Sequence, residues 1–154
     1  EGIVSAILSL GGIVCAVGAK PDGSDWQIGL QDPENTAEIF GMVAVRDAGV
    51  VTSGGYQRWF EQDGVRYHHI LDPETGCPAE SGLLSVSVVS ADDTLADALS
   101  TALYVMGAER GAQLWRESGL DFEAVWVTED GSVLITEGLQ SVYRSERAYQ
   151  VVTR

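Results

Sequence analysis

SGLLSVSVVSADDTLADALSTALYVMG, residues 81–107, changes its period halfway along, and that change decides the fold. Leu84–Val89 (LSVSVV) alternates apolar with small polar residues, the two-residue repeat of a half-buried strand. Over Asp92–Met106 the repeat lengthens. Leu95, Ala98, Leu99, Ala102, Leu103 and Met106 recur at helical spacing and make one apolar face. Asp92 or Asp93 caps the start, where a carboxylate meets the positive end of the helix dipole. Gly107 supplies a C-cap, and a second helix is expected over Ala108–Ser118, stopping at Gly119.

On either side the pattern is strand-rich. Ile3–Leu10 and Ile13–Val17 are β-branched apolar runs split by Gly11-Gly12, the signature of a hairpin or tight bend. Lys20–Asp25 is a turn by composition. Asp25–Leu30, Phe40–Arg46 and Val50–Ser53 read as strands. Tyr56–Phe60 runs to the turn Gln62-Asp63-Gly64, and Val65–Leu71 returns from it. Asp72–Pro78 is a rigid loop, held by two prolines and relieved at Gly76. Phe122–Thr128 and Ser132–Thr136 form a hairpin around Glu129-Asp130-Gly131, and Leu139–Val152 is strand or irregular. The fold class is therefore α+β: a mostly antiparallel sheet with one or two packed helices.

Composition narrows the function classes. In 154 residues, 9 Lys+Arg stand against 23 Asp+Glu, a formal net charge of −14. One domain is the default at this length, and 45% hydrophobic residues suffice for a core. Nine scattered basic residues cannot build the stripe that grips phosphate backbones, so nucleic acid is excluded as a partner, and anionic lipid is disfavoured. An acidic balance suits divalent cations. No run approaches ~20 apolar residues, so no segment spans a membrane. Gly2–Ala19, the nearest approach, lacks a basic flank and is broken by glycine. The chain enters this strand-forming stretch directly from Glu1, from which we expect residues upstream to have been removed. Cys15 and Cys77 form no CxxC and are expected as two buried free thiols, a single bridge remaining open.

Three constellations could carry chemistry. Asp97 and Thr101 lie four apart, so both leave one helix face a turn from each other, with Ser100 beside them. A carboxylate and a hydroxyl so placed can share Mg²⁺ or Ca²⁺. Such a pair also arises by chance on solvated helices. The apolar neighbours Leu95, Ala96, Ala98 and Leu99 distinguish this one, since a sequestered carboxylate needs a partner. His68 and His69 point to opposite faces of a strand, so one at most enters a given site; a histidine that merely satisfies its own hydrogen bonds is the simpler alternative. Gly11-Gly12 and Ser53-Gly54-Gly55 could offer backbone N–H groups to phosphate oxygens, or could simply be tight turns.

Taken in order, LSLGGIVCAVG, KPDGSDWQIGLQDP, VVTSGGYQRWF, YHHILDPETGCPAE, LLSVSVVSADDTLADALSTALYVMG and VTEDGSVLITEG resemble the carboxy-terminal part of the ApbE family, the FAD:protein FMN transferases. The most specific pieces are HILDPETG at 69–76 and ADALSTALYVMG at 96–107. The resemblance implies binding of FAD and Mg²⁺, and transfer of the FMN half onto a Ser or Thr hydroxyl of an acceptor flavoprotein with release of AMP. It implies Asp97 and Thr101 as Mg²⁺ ligands, with Ca²⁺ able to stand in and Ser100 adding a backbone contact. It implies His69 at the pyrophosphate or in catalysis, and Leu71 against the flavin nucleotide. Gly11 and Gly12 are the candidate backbone contacts to the nucleotide.

Two departures stand out. Gly55 occupies a position where the family often carries an acidic or amide residue. The family's amino-terminal half, which bears most adenine and isoalloxazine contacts and further metal ligation, has no counterpart. Residues 1–154 thus read as the carboxy-terminal portion of the domain, expected to bind FAD weakly and to transfer nothing alone. An FAD pyrophosphatase yielding FMN and AMP, and a non-catalytic flavin-binding or interaction module, are the alternatives. By resemblance the full-length protein is expected to be a lipoprotein in the periplasm or on the outer face of the cytoplasmic membrane.

Overall fold

The computed structural model describes residues 2–154; Glu1, where the sequence reading set a removed upstream stretch, lies outside them. Strands β1 (Ala6–Ser9) and β2 (Ile13–Val17) make a hairpin. Its loop is Gly11-Gly12, both at positive φ (64° and 100°), as a two-residue turn matched to strand twist requires. β3 (Trp26–Gln31) pairs with β4 (Ile39–Val45), and β5 (Ala48–Gly54) follows. β6 (Trp59–Gln62) and β7 (Val65–His68) form a second hairpin. β8 (Leu83–Ser90) leads into the helix α1 (Asp93–Glu117). β9 (Glu123–Thr128) and β10 (Val133–Thr136) form a third hairpin. The tail holds β11 (Tyr143–Arg144) and β12 (Tyr149–Val152).

Among the described residues these strands make a seven-stranded sheet in the order β1-β2-β5-β8-β9-β10-β12, a three-stranded sheet β11-β4-β3, and the separate β6-β7 pair. Every pairing is antiparallel except β10 with β12. Alternation along the central strands creates two cores. Val51, Val86, Val88, Ala124 and Trp126 pack with α1, while Val50, Val89, Val125 and Val127 pack with the small sheet. The large sheet is thus covered on both faces, which explains the apolar density of β8 and β9.

In α1 the Asp92 carboxylate accepts hydrogen bonds from the N–H groups of Thr94 (2.9 Å) and Leu95 (3.1 Å). Gly107 (φ 80°, ψ 171°) interrupts the helical path, so the two expected helices meet there end to end and run on to Glu117. The buried face differs from the expected one. Ala96, Leu99, Ser100, Leu103 and Tyr104 face the sheet, whereas Ala98 and Asp97 are exposed. Small residues at 96 and 100 let the backbone approach β5 closely, and this turns the longer Leu95 and Met106 towards the rim of the core. The carboxylate of Asp97 is therefore solvated and not sequestered. The strand expected over Val65–Leu71 stops at His68, and that over Ile3–Leu10 starts at Ala6.

Both cysteines are free thiols, but neither is buried: Cys15 is half-buried and Cys77 exposed. Asp93 reaches over Gly49, the register partner of Cys15. The Asp93 carboxylate as hydrogen-bond acceptor, then burial, then the Asp93 charge push the Cys15 thiol up to about 11.

Candidate functional site

Beyond the end of β7 the chain bends at His69 and runs on to Leu71. Ile70 is buried in the helix-side core and His68 is half-buried, while His69 and Leu71 are exposed. Leu71 bridges to Pro78 and closes the loop Asp72–Cys77. Asp72 braces that loop: its backbone N–H donates to the Cys77 carbonyl (2.8 Å), and its carboxylate accepts from the Glu74 N–H (2.8 Å).

The braced loop stands across a groove from α1. Leu71, Pro73 and Glu74 line one side and Ala98, Thr101 and Val105 the other, enclosing about 480 Å³. Leu71 and Thr101, picked out separately in the sequence, therefore share one cleft. Asp97 lies one turn before Thr101, also exposed. Thr101 lines the groove and Asp97 does not, but the two are hard oxygen donors one helical turn apart, a donor set that fits Mg²⁺ or Ca²⁺. Among the described residues no three His, Cys, Asp or Glu side chains gather as a metal cluster, so this pair provides at most two side-chain ligands.

Ser100 points the other way. It is fully buried; its hydroxyl donates to the Asp97 carbonyl (3.0 Å) and lies 2.8 Å from the hydroxyl of Ser53. Ser53 Oγ is also 3.2 Å from Thr101 Oγ1. The side chain of Ser100 thus supports the site from beneath, leaving only its backbone for any further contact. Ser53, at the end of β5, was singled out in the sequence only for the backbone N–H groups of Ser53-Gly54-Gly55, and the part played by its side chain was missed. Its sole signal was its place before Gly54-Gly55, because its partners lie 47 and 48 residues away along the chain.

The two histidines part company. His69 is fixed at the Arg58 carbonyl, which accepts both its backbone N–H and Nδ1 (3.2 Å each). A carbonyl can only accept, so Nδ1 carries the proton and Nε2 of the neutral ring keeps its lone pair. His68 instead packs edge-on against Tyr104, with ring centroids 5.7 Å apart. Burial pushes the Tyr104 hydroxyl above the ordinary phenol range, a hydrogen bond from Gly55 pulling part of the way back. Glycine at 55 is demanded here: a Cβ would come within 2.8 Å of both the His68 ring and the Tyr104 hydroxyl. Gly11 and Gly12 do not enter the Leu71–Thr101 groove. They border a separate surface hollow with Gln31, Thr36, Gln57 and Arg58.

With this geometry in hand, comparisons with known proteins are specific. The sequence profile described as the ApbE family matches residues 1–126. The FAD:protein FMN transferase of Treponema pallidum is 43% identical over 145 residues, 88% of this chain and 40% of the relative. That of Klebsiella pneumoniae (strain 342) is 36% identical over 152 residues, 97% of this chain and 46% of the relative. The crystal structure of the ApbE protein from Thermotoga maritima superposes with a TM-score of 0.81 at 37% identity, over 92% of this chain and 45% of that one. The flavin transferase ApbE from Vibrio cholerae gives 0.73 at 31% identity, over 92% and 45%. The chain spans less than half the length of these relatives.

Proposed function

The chain belongs to the ApbE family, and from that premise we propose that it is the carboxy-terminal portion of an Mg²⁺-dependent transferase moving FMN from FAD to a Ser or Thr hydroxyl of an acceptor flavoprotein, with release of AMP. The observation that carries the reading is the shared groove, in which Leu71 faces Thr101 one helical turn from Asp97. Asp97 and Thr101 would hold the cation, which when bound supplies neutralisation of pyrophosphate charge. Leu71 offers an exposed apolar surface for a nucleotide base or flavin. His69, oriented by Arg58, presents Nε2 as the base that takes the proton of the acceptor hydroxyl. Two side-chain donors are too few for a complete Mg²⁺ shell, so the remaining ligands come from water and the part of the protein that corresponds to the rest of the relatives. By the same reasoning the 154 residues alone bind FAD weakly and transfer nothing. Action outside the cytoplasmic membrane as a lipoprotein rests on the resemblance alone and belongs to this proposal.

The test is incubation with FAD, Mg²⁺ and acceptor flavoprotein, followed by mass spectrometry of the acceptor, for this chain and for a polypeptide extended to the relatives' full length. The extended form is expected to add FMN covalently and to lose that activity in Asp97→Ala. Free FMN and AMP without an adduct point to a pyrophosphatase. Unchanged FAD overturns catalysis and leaves a flavin-binding module.

A further inference from the structure

We propose that Ser53 is a positioning residue for the cation site, fixing the hydroxyl of Thr101 so that it presents an oxygen lone pair, and not a proton, to the groove. The inference rests on the metal reading above and follows from counting protons. Each hydroxyl owns one proton and two lone pairs. Ser100 donates its proton to the Asp97 carbonyl, which has none to give back. The 2.8 Å contact between Ser53 and Ser100 therefore uses the proton of Ser53. The 3.2 Å contact between Ser53 and Thr101 then uses the proton of Thr101. Direction is forced along the whole row: Thr101 to Ser53 to Ser100 to the Asp97 carbonyl.

Two consequences follow. All three protons point inward, so the outward side of Thr101 Oγ1 accepts and does not donate. Thr101 Oγ1 and the solvated carboxylate of Asp97 one turn away then both present acceptors, which suits a hard cation, while the guanidinium of Arg110 lines the groove further along α1. The row also anchors α1 to the end of β5 at the level of the site. Ser100 is fully buried, so its hydroxyl is shielded from competing water, while the Ser53–Thr101 contact at the other end of the row is exposed.

The experiment compares Ser53→Thr with Ser53→Val in the 154-residue chain. The two replacements have the same shape and differ in one hydroxyl. Mn²⁺ is titrated as the probe, and paramagnetic broadening of Asp97–Thr101 resonances is read by NMR, together with the side-chain rotamer of Thr101. Expected is a single Thr101 rotamer and saturable broadening in the wild type and in Ser53→Thr. In Ser53→Val the rotamer averages and the apparent Mn²⁺ affinity falls about threefold to tenfold, the loss of one hydrogen bond at ~0.7–1.4 kcal/mol. Equal behaviour of the Thr and Val variants overturns the proposal, whether both bind as wild type or both are impaired. Wild-type chain without broadening at these residues, or broadening unchanged by Asp97→Asn, overturns the metal reading and the role of Ser53 with it. The rotamer readout separates the two failures, because it reports the hydroxyl row with no metal present.

Discussion

Before Gly107, α1 buries Ser100 beside Ala96, Leu99 and Leu103; after it, α1 buries Gly111, Ala112 and Trp115. The first stretch carries polar oxygen into the interface and connects it to an exposed carboxylate and hydroxyl. The second packs apolar surface against β9, with Gly111 lying under the indole of Trp126 and Trp115 donating its Nε1–H to the Phe122 carbonyl (3.0 Å). One helix thus divides into a part that presents chemistry and a part that holds the scaffold. The division falls where a single glycine breaks the pitch.

The comparison can be broken at several points. Trp115→Ala is expected to have the largest effect, about 3–5 kcal/mol of stability in urea unfolding, because it leaves a cavity and an unpaired carbonyl in the core. Resonances of Asp97 and Thr101 in the folded fraction should stay in place; movement there would join the halves that we separate. Gly107→Ala should cost about 1–3 kcal/mol, since φ 80°, ψ 171° is open to glycine alone and a Cβ would meet the Ser81 carbonyl at 3.0 Å. A neutral result in the same assay would mean that the helix can run straight through.

Ser100→Ala comes next, at about 1 kcal/mol from the loss of a buried hydroxyl with two partners. Loss of the single Thr101 rotamer should accompany it. Asp97→Asn should leave stability within about 0.5 kcal/mol, because the side chain is solvated. Its effect should appear in the Mn²⁺ titration and not in the melting curve. Smallest in stability terms is Asp93→Asn, read chemically at Cys15. With the thiol pushed up to about 11, about one in a thousand is thiolate at pH 8, so iodoacetamide should modify exposed Cys77 first. Removing the carboxylate lowers that pKa and should speed alkylation of Cys15 at pH 8, the Cys77 rate staying constant.

Much of the scaffold was legible because it depends on short-range signals. The period change between Leu84–Val89 and Asp92–Met106, the glycine pairs in turns, and the Asp92 cap each depend on neighbours within one or two turns of chain. The inward face of α1 was not legible. Leu95, Ala98 and Met106 look as apolar as Ala96 and Tyr104, and only the shape of β5 and β8 selects the small residues for close approach. For the same reason Asp97 looked sequestered among apolar neighbours but is exposed. Its neighbours in sequence lie on different sides of the helix. The thiols failed likewise, since Cys15 sits near the edge of the large sheet and Cys77 in the loop after Leu71, positions set by topology.

The amino-acid string alone determined that Asp97 and Thr101 leave one helix a turn apart, that His68 and His69 diverge, and that the chain belongs to the ApbE family by its order of motifs. Local geometry fixes such relations, because rise and period are properties of the backbone. The meeting of Thr101 with Leu71 across a groove, and with Ser53 through a hydroxyl, was decided only by tertiary structure. Those contacts join residues 30 to 48 positions apart, and they exist because the α1–β5 and loop–helix packing brings them to the same edge of the sheet.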